Sequence, residues 1–486
     1  MIKTNPISIA DQRQCLRSCL THADADTISQ PNIRSILICL TFYLSYLTPT
    51  PPSAPSDAVN DTAKTLDGIV LNGARLNDAQ KKYIKALQDI LQINSENDHE
   101  EQVARYLQEL LSQHGIASTL VAFGDDRANL VAEISNGEGS TLIISGHMDV
   151  VSAGDASAWT HPPFSGHIDA QGVIWGRGAS DMKSGLLALV FALIALHDSK
   201  AFHSTIRLLA TVGEEVGEYG SKQLTELGYV DDADALLIAE PCNVGIMYAH
   251  KGSLNYKLTA KGNAAHSSTP ELGNNAIERL NNAISQISEQ IQQKAAQFDN
   301  PILGKTFHNI TLIKGGVQVN SIPDFAEFEA NARTIPEFDN QAVIDEITRV
   351  VDELNQQDGF ELSLTVTADQ PPVQSDPRSP LIQAILAATK QYPSLQVSAL
   401  FDSMGQVLGT DLSPMAQQFG NTELAPITAS GTTDAAQFTR HKKGLELAVY
   451  GPGMPMLNHK IDERLPLSQY LDFIKVYQDI ITHYLQ

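Results

Sequence analysis

Positive charge is scarce in this chain. Its 33 Lys and Arg residues face 56 Asp and Glu, a formal net charge of −23 over 486 residues. Such a surface repels a phosphate backbone, which argues against nucleic-acid binding. Cysteine is scarcer still: Cys15, Cys19 and Cys39 crowd into one end and Cys242 stands alone. That spacing builds no disulfide framework, and a reducing compartment is the natural reading. Cys15 and Cys19 could form half of a metal site, but no second pair follows them. Long apolar runs are missing too. The one candidate, residues 33–47, is about fifteen residues long, short of the roughly twenty that span a bilayer. Arg34 at the start of that run and the small residues after it suggest export, yet no small-x-small cleavage site stands out. The reading is therefore an N-terminal extension without fixed structure over residues 1–74, with a Pro- and Ser-rich stretch at 48–56, on a cytoplasmic protein with no membrane span.

What is present is ordinary globular text, 42% hydrophobic and 18% charged. The length exceeds one compact core and asks for two or three units. Residues 78–93 have helical spacing, with Tyr83, Leu87, Ile90 and Leu91 on one face. Residues 101–114 repeat the pattern. Short apolar runs follow at 129–134, 141–145, 204–212, 235–239 and 445–450, separated by helix-like stretches such as 184–197. Strands alternating with helices predict an α/β unit with a mainly parallel sheet. The middle differs. Strands at 253–261, 308–314, 325–333 and 361–367 and helices at 274–293 and 341–354 run in the order β-α-β-β-α-β, the ferredoxin-like arrangement. The expected units are 75–252, the inserted 253–368, and 369–486, where the first unit resumes.

Chemistry gathers where the strands of the outer unit end. The run at 141–145 leads into His147-Met148-Asp149. The run ending at Val212 leads into Gly213-Glu214-Glu215. Residues 235–239 lead into Glu240, 173–175 into Gly176-Arg177-Gly178-Ala179-Ser180-Asp181, and 445–450 into a Gly/Pro loop holding His459. Open α/β sheets bind ligands at the carboxyl ends of their strands. Any one of these residues alone would be an ordinary solvated loop group. Five segments delivering His, Asp, Glu, Glu and His to one edge form a ligand set for two borderline cations such as zinc.

These residues resemble a family. His147-Met148-Asp149, the stretch from Gly176 to Lys183, Glu214-Glu215, Glu240-Pro241 and His459 are similar to the co-catalytic zinc amidohydrolases. That family includes succinyl-diaminopimelate desuccinylase, acetylornithine deacetylase, aminoacylase and carboxypeptidase G. The resemblance covers residues from about 75 to the C-terminus. It implies a zinc-peptidase-like catalytic domain with an inserted dimerisation domain, a homodimer, and two zinc ions for which cobalt can substitute. It gives His147 and Glu240 to one metal, Glu215 and His459 to the other, and Asp181 to both. Asp149 would accept the free ring N–H of His147, and Glu214 would be the general base. A non-proline cis peptide would follow Asp181.

The resemblance also makes His266, in Gly262-Asn263-Ala264-Ala265-His266-Ser267-Ser268, an oxyanion donor to the partner subunit's site. Asn320 and Arg333 would bind a substrate carboxylate, since the planar fork of Arg pairs with it bidentately. Gly431 and Thr432, in Ser430-Gly431-Thr432-Thr433-Asp434, would present backbone N–H groups to the substrate. Asn331 and Thr433 depart from the Asp and Ser often seen at these positions. The expected activity is hydrolysis of an N-acylated amino acid, N-succinyl-diaminopimelate foremost. The alternatives are acetylornithine deacetylase or a dipeptidase, and outside enzymes a catalytically dead binding protein.

Overall fold

The computed structural model describes residues 66–486 except 72, 409–411, 414–422 and 443. The cysteine-bearing end and the apolar run at 33–47 lie outside the described residues. Among the described residues ahead of position 75, a 3-10 turn at Leu66–Gly68 is followed by paired strands Val70–Leu71 and Ala74–Arg75. No helix among the described residues is long and apolar enough to cross a membrane.

Helix α1 (Asp78–Gln92) starts at Asn77, whose side chain accepts from the Gln80 N–H while the Gln80 side chain accepts from the Asn77 N–H. This reciprocal cap satisfies two N–H groups that the first turn leaves without partners. Helix α2 (Glu100–Gln113) leads to strands β1 (Ser118–Gly124), β2 (Arg127–Ser135) and β3 (Thr141–His147). Next come helix α3 (Lys183–Ser199), β4 (Thr205–Thr211), α4 (Tyr219–Glu226), β5 (Ala235–Pro241) and β6 (Ile246–His250). The inserted unit holds β7 (Gly252–Lys261), α5 (Ala276–Ala295), β8 (Phe307–Gly315), β9 (Phe325–Thr334), α6 (Asn340–Asn355) and β10 (Leu362–Gln370). The chain then returns through β11 (Val373–Gln374), α7 (Pro380–Thr389), β12 (Pro426–Ala429), β13 (Glu446–Gly451) and α8 (Leu467–Tyr484).

The large sheet is mixed, in the order β11-β6-β13-β5-β3-β4-β2-β1, with β12 beside β6. Its centre, β13-β5-β3-β4, is parallel. Its flanks are antiparallel at β4-β2-β1 and β13-β6-β11. Strand β3 is buried along its whole length, and its residues alternate between two cores. Leu142 and Ile144 join the core beneath α3, while Ile143 faces Leu224, Ala435 and Phe438 on the other side. Such a strand needs helices on both faces, which its unbroken apolar run anticipates. Helix α3 is apolar nearly all round, the composition of a fully buried helix. Gly185 lets it approach the sheet: a Cβ there would sit 2.2 Å from the Ala239 carbonyl oxygen. The start of α3 is thereby pressed against the end of β5, one residue before Glu240.

The inserted unit is an antiparallel sheet, β8-β9-β7-β10, with α5 and α6 packed on it. This is the ferredoxin-like order. Strand β9 alternates buried with partly exposed residues, whereas β8 at the edge is mostly exposed.

Candidate metal centre

His147 closes β3. Its Nδ1 lies 2.9 Å from the Asp149 backbone oxygen. A carbonyl only accepts, so Nδ1 carries a proton and Nε2 is the nitrogen left to ligate a cation. Around Nε2 stand Asp181 Oδ1 at 3.3 Å and Glu240 Oε1 at 3.5 Å. His459 approaches from the loop after β13. Its Nε2 is 2.9 Å from Glu215 Oε2 and 3.5 Å from Asp181 Oδ2. Asp181 therefore offers one oxygen to each imidazole. Two groupings bring ligand atoms within 4.8 Å of one another: His147 with Asp181 and Glu215, and His147 with Glu214 and Glu240. The Asp181–Met182 peptide is cis. The five ligand candidates and Glu214 thus converge from separate strand ends.

Asp149 departs from the sequence expectation. Its carboxylate is 3.6 Å from His147 Nδ1, outside hydrogen-bond reach, and the backbone carbonyl of the same residue accepts the ring N–H. The carboxylate instead accepts the backbone N–H groups of Glu214 at 3.2 Å and Glu215 at 3.1 Å. It fixes the loop that carries the base and a ligand.

The electrostatics call for cations. Burial first, and then the neighbouring Glu240 carboxylate, push the Glu214 carboxyl well above its ordinary range. Burial does the same to Glu240, opposed by His147 and reinforced by Asp181 and Glu215. Burial acts to lower the His147 pKa, but Glu240, Asp181 and Asp149 carry it well above its usual value. Packed carboxylates raise one another when nothing positive separates them. Glu215 Oε1 is buried without a hydrogen-bond partner. An unpartnered buried carboxylate oxygen amid two imidazoles and three other carboxylates fits a divalent-cation site.

Other expected residues lie elsewhere. His266 is exposed on a short strand paired with Ser321–Ile322, and its Nδ1 meets Ser268 Oγ at 2.7 Å. The Ser267 N–H donates to the Asn320 carbonyl at 3.1 Å, so His266 and Asn320 share one loop cluster. These hydrogen bonds involve no metal-site residue. Arg333 is half-buried on β9, opposite Ser253 and Phe307, and no carboxylate among the described residues pairs with it. Burial lowers its pKa. Asn331, where an Asp is common, donates to Asn255 Oδ1 at 2.6 Å across to β7. Gly431 is exposed and Thr432 half-buried. Their loop is anchored by buried Asp434, which accepts from Thr211 Oγ at 2.6 Å and Ser221 Oγ at 2.5 Å. Thr211 ends β4, just before Glu214, so the loop and the base share a support.

Sequence reasoning missed Glu463. Its fully buried carboxylate accepts from Arg177 and from the backbone N–H groups of Ser180 and Asp181. Its one sequence signal is its place four residues after His459.

A mixed α/β sheet that gathers two imidazoles and several carboxylates at its strand ends defines a metal-dependent hydrolase. Residues 143–483 match the model of peptidase family M20/M25/M40. A Staphylococcus epidermidis protein named probable succinyl-diaminopimelate desuccinylase is 38% identical over 434 residues, covering 84% of this chain and 99% of that one. An M20 metallo-carboxypeptidase from Sulfolobus solfataricus has a similar structure, with a TM-score of 0.63 and 20% identity over 84% of this chain and 99% of that one. A dinuclear metal-binding M20 peptidase from Bacillus subtilis gives a TM-score of 0.58 and 16% identity, again over 84% of this chain and 99% of that one. The chain belongs to the M20 family and is a metal-dependent amidohydrolase.

Proposed function

We propose that the protein hydrolyses N-succinyl-diaminopimelate to succinate and diaminopimelate, with two zinc ions that cobalt can replace. For the substrate, the observation that carries this is the 38% identity, over nearly the whole relative, to a protein of that name. For the chemistry it is the oxygen pair of Asp181, one facing each imidazole. His147 and Glu240 would hold one cation, Glu215 and His459 the other, and Asp181 both. When bound, such a pair lowers the pKa of water and polarises the scissile carbonyl. Glu214 takes the proton from the attacking water and returns it to the departing nitrogen. Its buried position beside His147 and Glu240, where burial and the Glu240 carboxylate raise its pKa above the ordinary carboxylate range, supports this.

Arg333, half-buried and without a carboxylate partner among the described residues, would receive a substrate carboxylate, with Asn320, Gly431 and Thr432 completing the binding surface. The inserted unit, residues 253–368, would carry Asn320 and His266 to a partner subunit in a homodimer. The M20 carboxypeptidase fold neighbour keeps a peptide substrate as the second reading. A hydrolysis panel of N-succinyl-diaminopimelate, N-acetylornithine and several dipeptides, with zinc or cobalt present, tests both. Turnover of the succinyl compound should exceed the others by at least about tenfold, roughly 1.4 kcal/mol of transition-state preference. A preference for a dipeptide would replace the reading.

A further inference from the structure

We infer that Glu463 is a positioning residue for the metal centre, one carboxylate that sets both the Asp181 turn and the His459 loop. The inference rests on the metal-site reading above. Glu463 Oε1 accepts the Ser180 N–H at 2.8 Å and the Asp181 N–H at 2.9 Å. Its Oε2 accepts from Arg177 Nη1 at 2.7 Å. Arg177, itself 2% exposed, reaches on to the Lys460 carbonyl at 3.1 Å and the Ser152 carbonyl at 3.2 Å. The Glu463 carbonyl accepts the Gly176 N–H at 2.9 Å. The guanidinium also lies 5.1 Å from the centre of the Trp159 ring, beside Thr160, whose N–H and hydroxyl donate to Asp462. Three segments are joined here: the loop after β3, the turn ending at Asp181, and the loop carrying His459.

The chemistry explains why a carboxylate stands there. Two adjacent backbone N–H groups at 180 and 181 point the same way and need one strong acceptor in a dry interior. An anion serves both and neutralises buried Arg177 as well. Because Glu463 lies on the His459 loop, the acceptor that orients Asp181 also fixes where His459 stands. The two imidazoles therefore face opposite oxygens of Asp181 through a single support. Groups that orient metal ligands typically change metal affinity by about 10–100-fold when altered.

Glu463→Gln tests this. The amide keeps the shape and one acceptor oxygen but turns an N–H₂ toward Arg177 or toward the turn. The readouts are cobalt binding by calorimetry, the visible spectrum of the cobalt protein, and kcat and KM separately. The wild type should bind two cobalt ions. The variant should hold the weaker one about 10–100-fold less tightly, with an altered cobalt spectrum. At cobalt levels that saturate the wild type its kcat should fall while KM changes little, and added cobalt should restore part of kcat. Glu463→Asp retains the charge but withdraws it by one methylene; it should lie between the two and serves if the Gln protein does not fold. Wild-type cobalt affinity and spectrum in the folded variant would overturn the inference, even if thermal stability drops. A wild type that binds no cobalt would instead overturn the metal reading itself.

Discussion

Glu214 and Glu215 are chain neighbours with different surroundings. Glu215 Oε2 meets His459, and its other oxygen is buried without a partner. Glu214 groups with His147 and Glu240 instead. Both backbone N–H groups are held by the Asp149 carboxylate, so the pair splits at the side chains and not at the main chain. Glu214→Gln should keep both metals and lose about 10²–10⁴ in kcat, the usual worth of a general base. Glu215→Gln should release one metal more readily. Metal analysis with kinetics on both variants checks this, and full occupancy in Glu215→Gln would remove its ligand role. That this pair belongs to the site was legible because it follows a strand end; which of the two would be the ligand came only from the resemblance to the family. The use of Asp149 was not legible, because a carbonyl and a carboxylate of one residue look alike in a sequence.

At the scale of elements, β8 forms one edge of the inserted sheet and carries His308 on its partly covered face. Its Nε2 lies 2.7 Å from the Tyr256 hydroxyl, which donates to it when the ring is neutral. Burial depresses the His308 pKa from 6.5 to about 4. The unfolded chain therefore binds a proton below about pH 6.5 that the folded strand refuses until about pH 4. The sign follows: this group's contribution is full above about pH 6.5 and is lost as pH falls toward 4. Between pH 7 and 5 the loss is on the order of 1–2 kcal/mol. His308→Gln, which can still accept from Tyr256, should lose less stability over that interval than the wild type. Urea midpoints at pH 7 and pH 5 measure the difference, and an equal drop in both proteins would refute it. The strand itself was readable from its alternation. Its membership of an edge was not, since edge and centre differ only in which strands arrive beside them.

For the whole molecule, the exposed apolar residues of the inserted unit bear on assembly. Phe307, Leu312 and Ile313 on the edge strand β8 are more than half exposed, and Val319, beside Asn320, is fully exposed. Long apolar edges are normally covered, and a second copy would cover this one by a self-complementary contact. The same assembly would bring His266 to a neighbour's site. His266→Ala alone should cost about 10²–10³ in rate, the worth of one oxyanion donor. Mixing His266→Ala subunits with Glu214→Gln subunits should restore part of the activity, because one site of the mixed dimer then has both faults and the other has none. No recovery on mixing, or a fully active monomer, would show that His266 does not act across subunits.

Local pattern alone determined the alternation of strands and helices, the β-α-β-β-α-β order of the insertion, and the six groups at the strand ends. The reason is periodic: apolar spacing reports which backbone conformation can bury a face, and parallel strands send their ends to one side. Tertiary structure alone decided what holds those groups. Glu463 and Arg177 are 286 residues apart in the chain, and Asp434 and Thr211 are 223 apart. Nothing near any of them in the sequence marks its partner, because a buried hydrogen bond is set by which loops meet after the strands cross over. The same holds for the mixed flanks of the large sheet: a strand's residues fix that it is a strand, while its direction depends on the path by which the chain returns.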